Sequence, residues 1–169
     1  MSLMLPNFGA MQSHNLRNAA EQIVERVDFG RQRAVMTGIP HQLAIDLDAG
    51  TYALEWLGES ARDVEPEPTP DAETGIETRL SLEPPPEPKR NFESVPGPIG
   101  RRAVLGKGIE FAWLETPGGD VDFGEAFITF EADGTSSYTL VVLDEPGGRE
   151  IALEILPLAD TVRILDEEF

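Results

Sequence analysis

The 169-residue chain has no cysteine, which excludes a disulfide scaffold and thiolate-held zinc or iron–sulfur sites. Cationic residues are scarce: 13 Lys and Arg stand against 31 Asp and Glu, a net charge of −18. That field disfavours a general nucleic-acid or anionic-membrane binder, because those partners carry the same sign. No apolar run reaches the roughly 18 residues of a membrane-spanning helix or forms an intact signal peptide. What is present is a 40% hydrophobic content, enough for a core, in a length that fits one domain with an appendage.

Three regions separate by pattern. From Ser13 to Thr37 there is no proline, and apolar residues recur at helical spacing, with Leu16, Ala20, Ile23, Val27 and Ala34 forming the face expected to meet a core. Ser13 or Asn15 supplies a candidate N-cap, and Gly38 followed by Pro40 is a stop signal, so the spacing predicts a helix over 13–38. After Pro40 the period changes to two. Residues 42–47 and 51–57, joined by Asp48-Ala-Gly50, read as a β-hairpin, and further strands are expected at 109–115, 126–131, 136–143, 150–155 and 161–165. One long helix followed by about seven short strands predicts an α+β fold, the helix packed on antiparallel β-sheets of a β-rich head spanning 39–169.

Within that head, residues 59–98 hold 9 of the 14 prolines and a net charge of −6. Their Pro-Glu-Pro and Pro-Pro-Pro runs cannot build ladders, so the segment reads as an insertion, with Ile76 to Leu82 as a candidate edge strand. Charge is uneven as well: residues 16–37 carry +1 and residues 38–169 carry −19.

No catalytic constellation is assembled, and the chain is expected not to be an enzyme and to need no cofactor. Asp46 and Asp48, with Gly50 behind them, are weak calcium candidates; the other ligands of a calcium loop are missing, and Asp and Gly are equally the residues of a hairpin turn. Asp120, Asp122 and Glu125 raise the same question. His14 and His41 bracket the helix instead of sharing a face, which fits capping or exposed positions. Gly58-Glu-Ser60-Ala-Arg62 lacks the second glycine of a nucleophile elbow, and Gly106-Lys-Gly108 lacks the rest of a phosphate loop. Tyr52, Trp56, Trp113 and Tyr138 fall within strand patterns and are expected in the core, which leaves a carbohydrate groove without its aromatics.

The segment Leu5-Pro-Asn-Phe-Gly9, the run from Asn15 to Gly38 with its Ala-Glu-x-hydrophobic and Arg-x-x-Ala-hydrophobic steps, and the hairpin to Tyr52 resemble type IV pilin-like proteins. More narrowly they resemble the GspH/FimT group of minor pseudopilins and pilins. Pro6, Arg31 or Arg33, Ala34 and Val35 occupy that group's places, and Phe130 to Ser137 followed by an apolar strand resembles its C-terminal sheet motif. The group's apolar N-terminal helix with its Glu is missing, and its closing Thr-Gly turn appears only as Leu158-Ala-Asp-Thr161. On this resemblance residues 1–12 are expected to be the remainder of a truncated apolar helix, with Met1 to Leu3 as added leader residues.

The resemblance implies a minor pseudopilin: inner-membrane anchored through that helix, cut by a prepilin peptidase, methylated, and built into the periplasmic pseudopilus of a type II secretion system that exports folded proteins. Implied partners are other minor and major pseudopilins and secreted proteins, with no nucleic acid. A minor pilin of a type IV pilus, acting in priming, adhesion or DNA uptake, shares the same fold; DNA contact would need a basic distal head, whereas Asp166-Glu-Glu168 faces only Arg163 there. At 100° per residue Phe8, Met11, Phe29 and Met36 lie more than about 80° from the core stripe and are candidate subunit-interface residues, the alternative being that Gly9 or Gly30 bends the helix and the head covers some of them.

Overall fold

A computed structural model of the chain describes residues 8–58 and 90–167, with side chains from His14 to Gly58 and Arg90 to Asp166. Helix α1 runs Phe8–Thr37 without interruption. It stops where the sequence predicts: Gly38 adopts φ +66° and donates its N–H to the Ala34 carbonyl at 2.9 Å, a left-handed C-cap that a side chain would strain. Its start is corrected. Ser13 and Asn15 lie inside the helix and not at its start, because the backbone is already helical at Phe8.

Among the described residues ten strands follow in two antiparallel sheets. In the first, β3 (Phe92–Ser94), β2 (Thr51–Leu57), β1 (His41–Asp46) and β7 (Glu125–Phe130) lie side by side, and β4 (Ala103–Val104) adds to β2. In the second, the order is β10 (Arg163–Glu167), β9 (Glu150–Ile155), β8 (Thr139–Asp144), β5 (Glu110–Thr116) and β6 (Gly119–Val121). The β1–β2 hairpin closes on Asp46 opposite Thr51, with Gly50 at φ +61° in the turn. Between Phe111 and Trp113 the β5–β8 register slips, a bulge that lets Phe111 and Leu114 both point inward despite their odd spacing.

Alternation along these strands sends Leu43, Ile45, Leu54, Ile128 and Phe130 from the first sheet and Val141, Leu143, Ile151, Leu153 and Ile155 from the second into one core. The helix lies across both sheets, in contact with β1, β7, β8 and β9. Each such Leu or Ile contributes roughly 1.5–3 kcal/mol on burial, so the helix stripe and the two sheets are held by the same apolar surface.

The insertion ends earlier than the proline pattern predicts. Residues 92–94 pair with β2, Val95 is buried and donates its N–H to the Leu54 carbonyl, and Pro98–Gly100 forms a 3₁₀ turn against the helix. Gly100 is obligatory there, since a Cβ would lie 1.8 Å from the Val95 carbonyl oxygen. The Ile76 to Leu82 strand, Pro6 and Met1 to Leu3 lie outside the described residues.

Candidate functional site

The helix has two faces, set by the sheets beneath it. Leu16, Ala20, Ile23, Val27 and Ala34 are all fully buried. Gly30 is buried among them: a Cβ there would lie 2.8 Å from Leu54 Cδ1 and 3.0 Å from the Phe130 ring, so this glycine lets the helix settle onto the first sheet. Phe29 follows the alternative in which the head covers some of these residues. It is half-buried and packs against the core instead of standing open, because two sheets flank the helix and cover a wider arc than a single stripe. Met36 stands fully out. The side chains of Phe8 and Met11 lie outside the described residues.

Two arginines fasten the helix from opposite sides. Arg26 donates to the Ile99 carbonyl and, at 3.1 Å, to the Arg101 carbonyl, with its guanidinium 5.6 Å from the centroid of the Tyr52 ring. Arg31 is buried and donates to the carbonyl of Ala159, with its other terminal nitrogen 3.4 Å from Ser136 Oγ and 3.5 Å from the Leu156 carbonyl. A planar fork of donors suits this task, since several carbonyls of one loop can be met at once. Arg26 thus holds the 99–101 segment and Arg31 the loop between β9 and β10. Farther back, Arg17 lies 3.7 Å from Asp166 on β10, an exposed pair worth at most about 1 kcal/mol.

Between the last turns of the helix and the turns at 133–135 and 158–160 runs a groove of about 480 Å³. It is lined by the exposed Val35, Met36 and Leu158, by the exposed Asp133 and Asp160, by the half-buried Asp28 and by the buried Arg31. Asp28 Oδ1 is buried without a hydrogen-bond partner among the described residues; burial raises its pKa, against the opposing pull of Arg31. Asp133 is held the other way. It accepts from the Thr135 N–H at 2.9 Å and the Thr135 hydroxyl at 2.7 Å, which lowers its pKa.

The calcium candidates have other occupations. Asp46 accepts from the Ala49 N–H at 2.9 Å and lies 3.6 Å from Arg102, while Asp48 accepts from the Gly124 N–H at 3.2 Å. Among the described residues no three His, Cys, Asp or Glu side chains gather as metal ligands. His41 is fully buried, not exposed, with Nδ1 2.8 Å from the Ile39 carbonyl. Of the four strand aromatics only Tyr52 is buried, edge-on to Phe111 at 6.4 Å; Trp56 rests half-buried on the core, and Trp113 and Tyr138 are half-exposed, on alternate positions that face outward. Arg26, Gly30 and the groove have no signal in the sequence, and Arg31 had only its place in the family pattern.

No protein-family model matches the sequence, and no curated protein does either. Solved structures match. Two structures of the minor pseudopilin EpsH from the type II secretion system of Vibrio cholerae superpose with TM-scores of 0.58 and 0.60, at 12% and 11% identity. The first covers 90% of this chain and 97% of EpsH, the second 94% and 98%. The type IV minor pilin FimU of Pseudomonas aeruginosa matches at 14% identity over 93% of this chain and 91% of its own, with a TM-score of 0.45. No helix among the described residues is long and apolar enough to cross a membrane. At these identities the likeness is one of fold: a long N-terminal helix laid across two antiparallel sheets, in the pilin-like α+β arrangement of the two EpsH structures.

Proposed function

We propose that the chain is a minor pseudopilin, a structural subunit of the periplasmic pseudopilus of a type II secretion system, where it aids export of folded proteins across the outer membrane. The observation that carries this reading is the superposition on EpsH over nearly the full length of both chains, helix and both sheets included. In this reading the chain acts by assembly and not by catalysis. The helix takes its place among neighbouring helices, and the head, facing the periplasm, meets other heads. Anchoring through an apolar N-terminal helix, cleavage by a prepilin peptidase and methylation belong to the same reading. Charge supports a protein partner over nucleic acid, since the β-rich part carries −19 and Asp166 is paired with Arg17 and Arg149.

The test is a binding measurement with the separately purified heads of the pilin-like proteins encoded beside this one, with double-stranded DNA as a parallel ligand. Binding to one or more heads and none to DNA is expected. DNA binding without a head partner would transfer the chain to a DNA-uptake pilus.

A further inference from the structure

The groove at the end of the helix combines features that the fold does not need. Three of its lining residues are large and apolar yet open to water: Val35 is 54%, Met36 76% and Leu158 84% exposed. Leaving such surface open costs solubility, and contiguous apolar patches on otherwise polar proteins mark binding surfaces. Around it stand three carboxylates. Asp133 is kept ionised by its two bonds from Thr135, and Asp28 has a buried oxygen with nothing to accept from. Among the described residues that line it, the one cation is the buried Arg31, which donates to the carbonyls of Ala159 and Leu156 and to Ser136 and attracts Asp28. The groove therefore offers an apolar slot whose three carboxylates outnumber its one arginine, leaving a net negative charge.

We propose that this groove seats a segment of another protein chain that presents an apolar side chain flanked by Lys or Arg. Charge decides the occupant. A second copy of this chain brings −18 and is repelled, as is an acidic peptide, whereas a cationic segment is steered in by the field of the whole head. The apolar anchor fills the slot between Met36 and Leu158, and the cation lies between Asp133 and Asp160, within reach of Asp28. The inference rests on the proposed role as an assembly subunit and adds which face of the head is used and what the partner must carry.

The experiment measures affinity of the whole chain for each of the purified neighbouring heads, in four forms. These are the wild type, the double variant Met36→Ser/Leu158→Ser, the double variant Asp133→Asn/Asp160→Asn, and a control, Phe123→Ser, an exposed residue outside the groove. The substituted side chains are exposed, and Asn keeps the acceptor oxygen that Thr135 uses, so unchanged thermal midpoints are expected for all four. The apolar double variant should weaken binding at least tenfold. The Asn pair should weaken it several-fold at low salt and flatten its salt dependence. The control should bind as the wild type does. A head that binds all four forms equally overturns the groove and leaves the assembly role standing. Binding of no head to the wild type overturns both. Self-association of the wild type that disappears in the apolar double variant would give the groove to a second copy and overturn the cationic partner.

Discussion

Arg31 in the helix and Ala159 in the loop after β9, 128 residues apart in sequence, are joined by a hydrogen bond from the guanidinium to the backbone carbonyl. The bond closes the fold around the helix. With Arg26 doing the same for Ile99 and Arg101, the helix becomes a spine fastened to the loops of both sheets. Replacing Arg31 by Met takes the guanidinium donor from the Ala159 carbonyl, while the Leu156 carbonyl keeps the Ala159 N–H and the Ser136 hydroxyl; hydrogen bonds to charged groups contribute about 1.5–3 kcal/mol. Urea unfolding should show a loss of about that size, and amide exchange should quicken through 156–160. Arg31→Lys should recover only part, because an ammonium cannot span several carbonyls in a planar fork. An unchanged midpoint would show that the anchor does not hold the loop.

Gly30 tests how closely helix and sheet approach. At an open helical position any larger residue would stabilise, by about 0.5–1 kcal/mol for alanine. Here Gly30→Leu must displace Leu54 and Phe130, both fully buried, and should destabilise by about 3 kcal/mol, read from the chemical-denaturation midpoint. Stabilisation would mean that the helix stands off the sheet.

Phe29 and Met36 should separate. Phe29→Glu places a charge against the core and should lower stability by about 2–3 kcal/mol, whereas Met36→Glu, in open solvent, should stay within about 0.5 kcal/mol of the wild type. Thermal midpoints distinguish them. Equal losses would contradict the difference in burial.

Asp28 gives a pH signature. Its folded-state pKa is raised by burial above the usual 3.8, so its ionisation opposes folding. Its contribution is least unfavourable below 3.8 and worsens as pH rises through the folded-state value, where the unfolded chain has already lost the proton. Asp28→Asn should therefore raise the thermal midpoint at neutral pH, and the gain should vanish as the pH falls through 3.8. A destabilising effect at neutral pH would mean that attraction to Arg31 outweighs desolvation.

The sequence carries the helix clearly, because its buried stripe has a 3.6-residue period and Gly38-Ile-Pro40 ends it. The hairpin from His41 to Leu57 is equally legible, since alternation and an Asp/Gly turn fix its register. Strands of two or three residues are not. Residues 103–104 and 119–121 carry no period, and 92–94 sit at the end of a proline-rich stretch that masks them. Whether Phe29 stands open or is covered was not legible, because angle along one helix says nothing about how many sheets flank it. Arg31 was unreadable for a different reason: its partners are mostly backbone carbonyls, which leave no residue type to recognise, and they come from the far end of the chain. The groove joins three distant segments and has no local signature.

Membership of a secretion machine is tested most directly by removing the gene in the source organism and fractionating the proteins that its type II system exports. The proposed role predicts folded, active cargo held in the periplasm, with export restored by the wild-type protein. Export that continues unchanged, with surface pili lost instead, would contradict it.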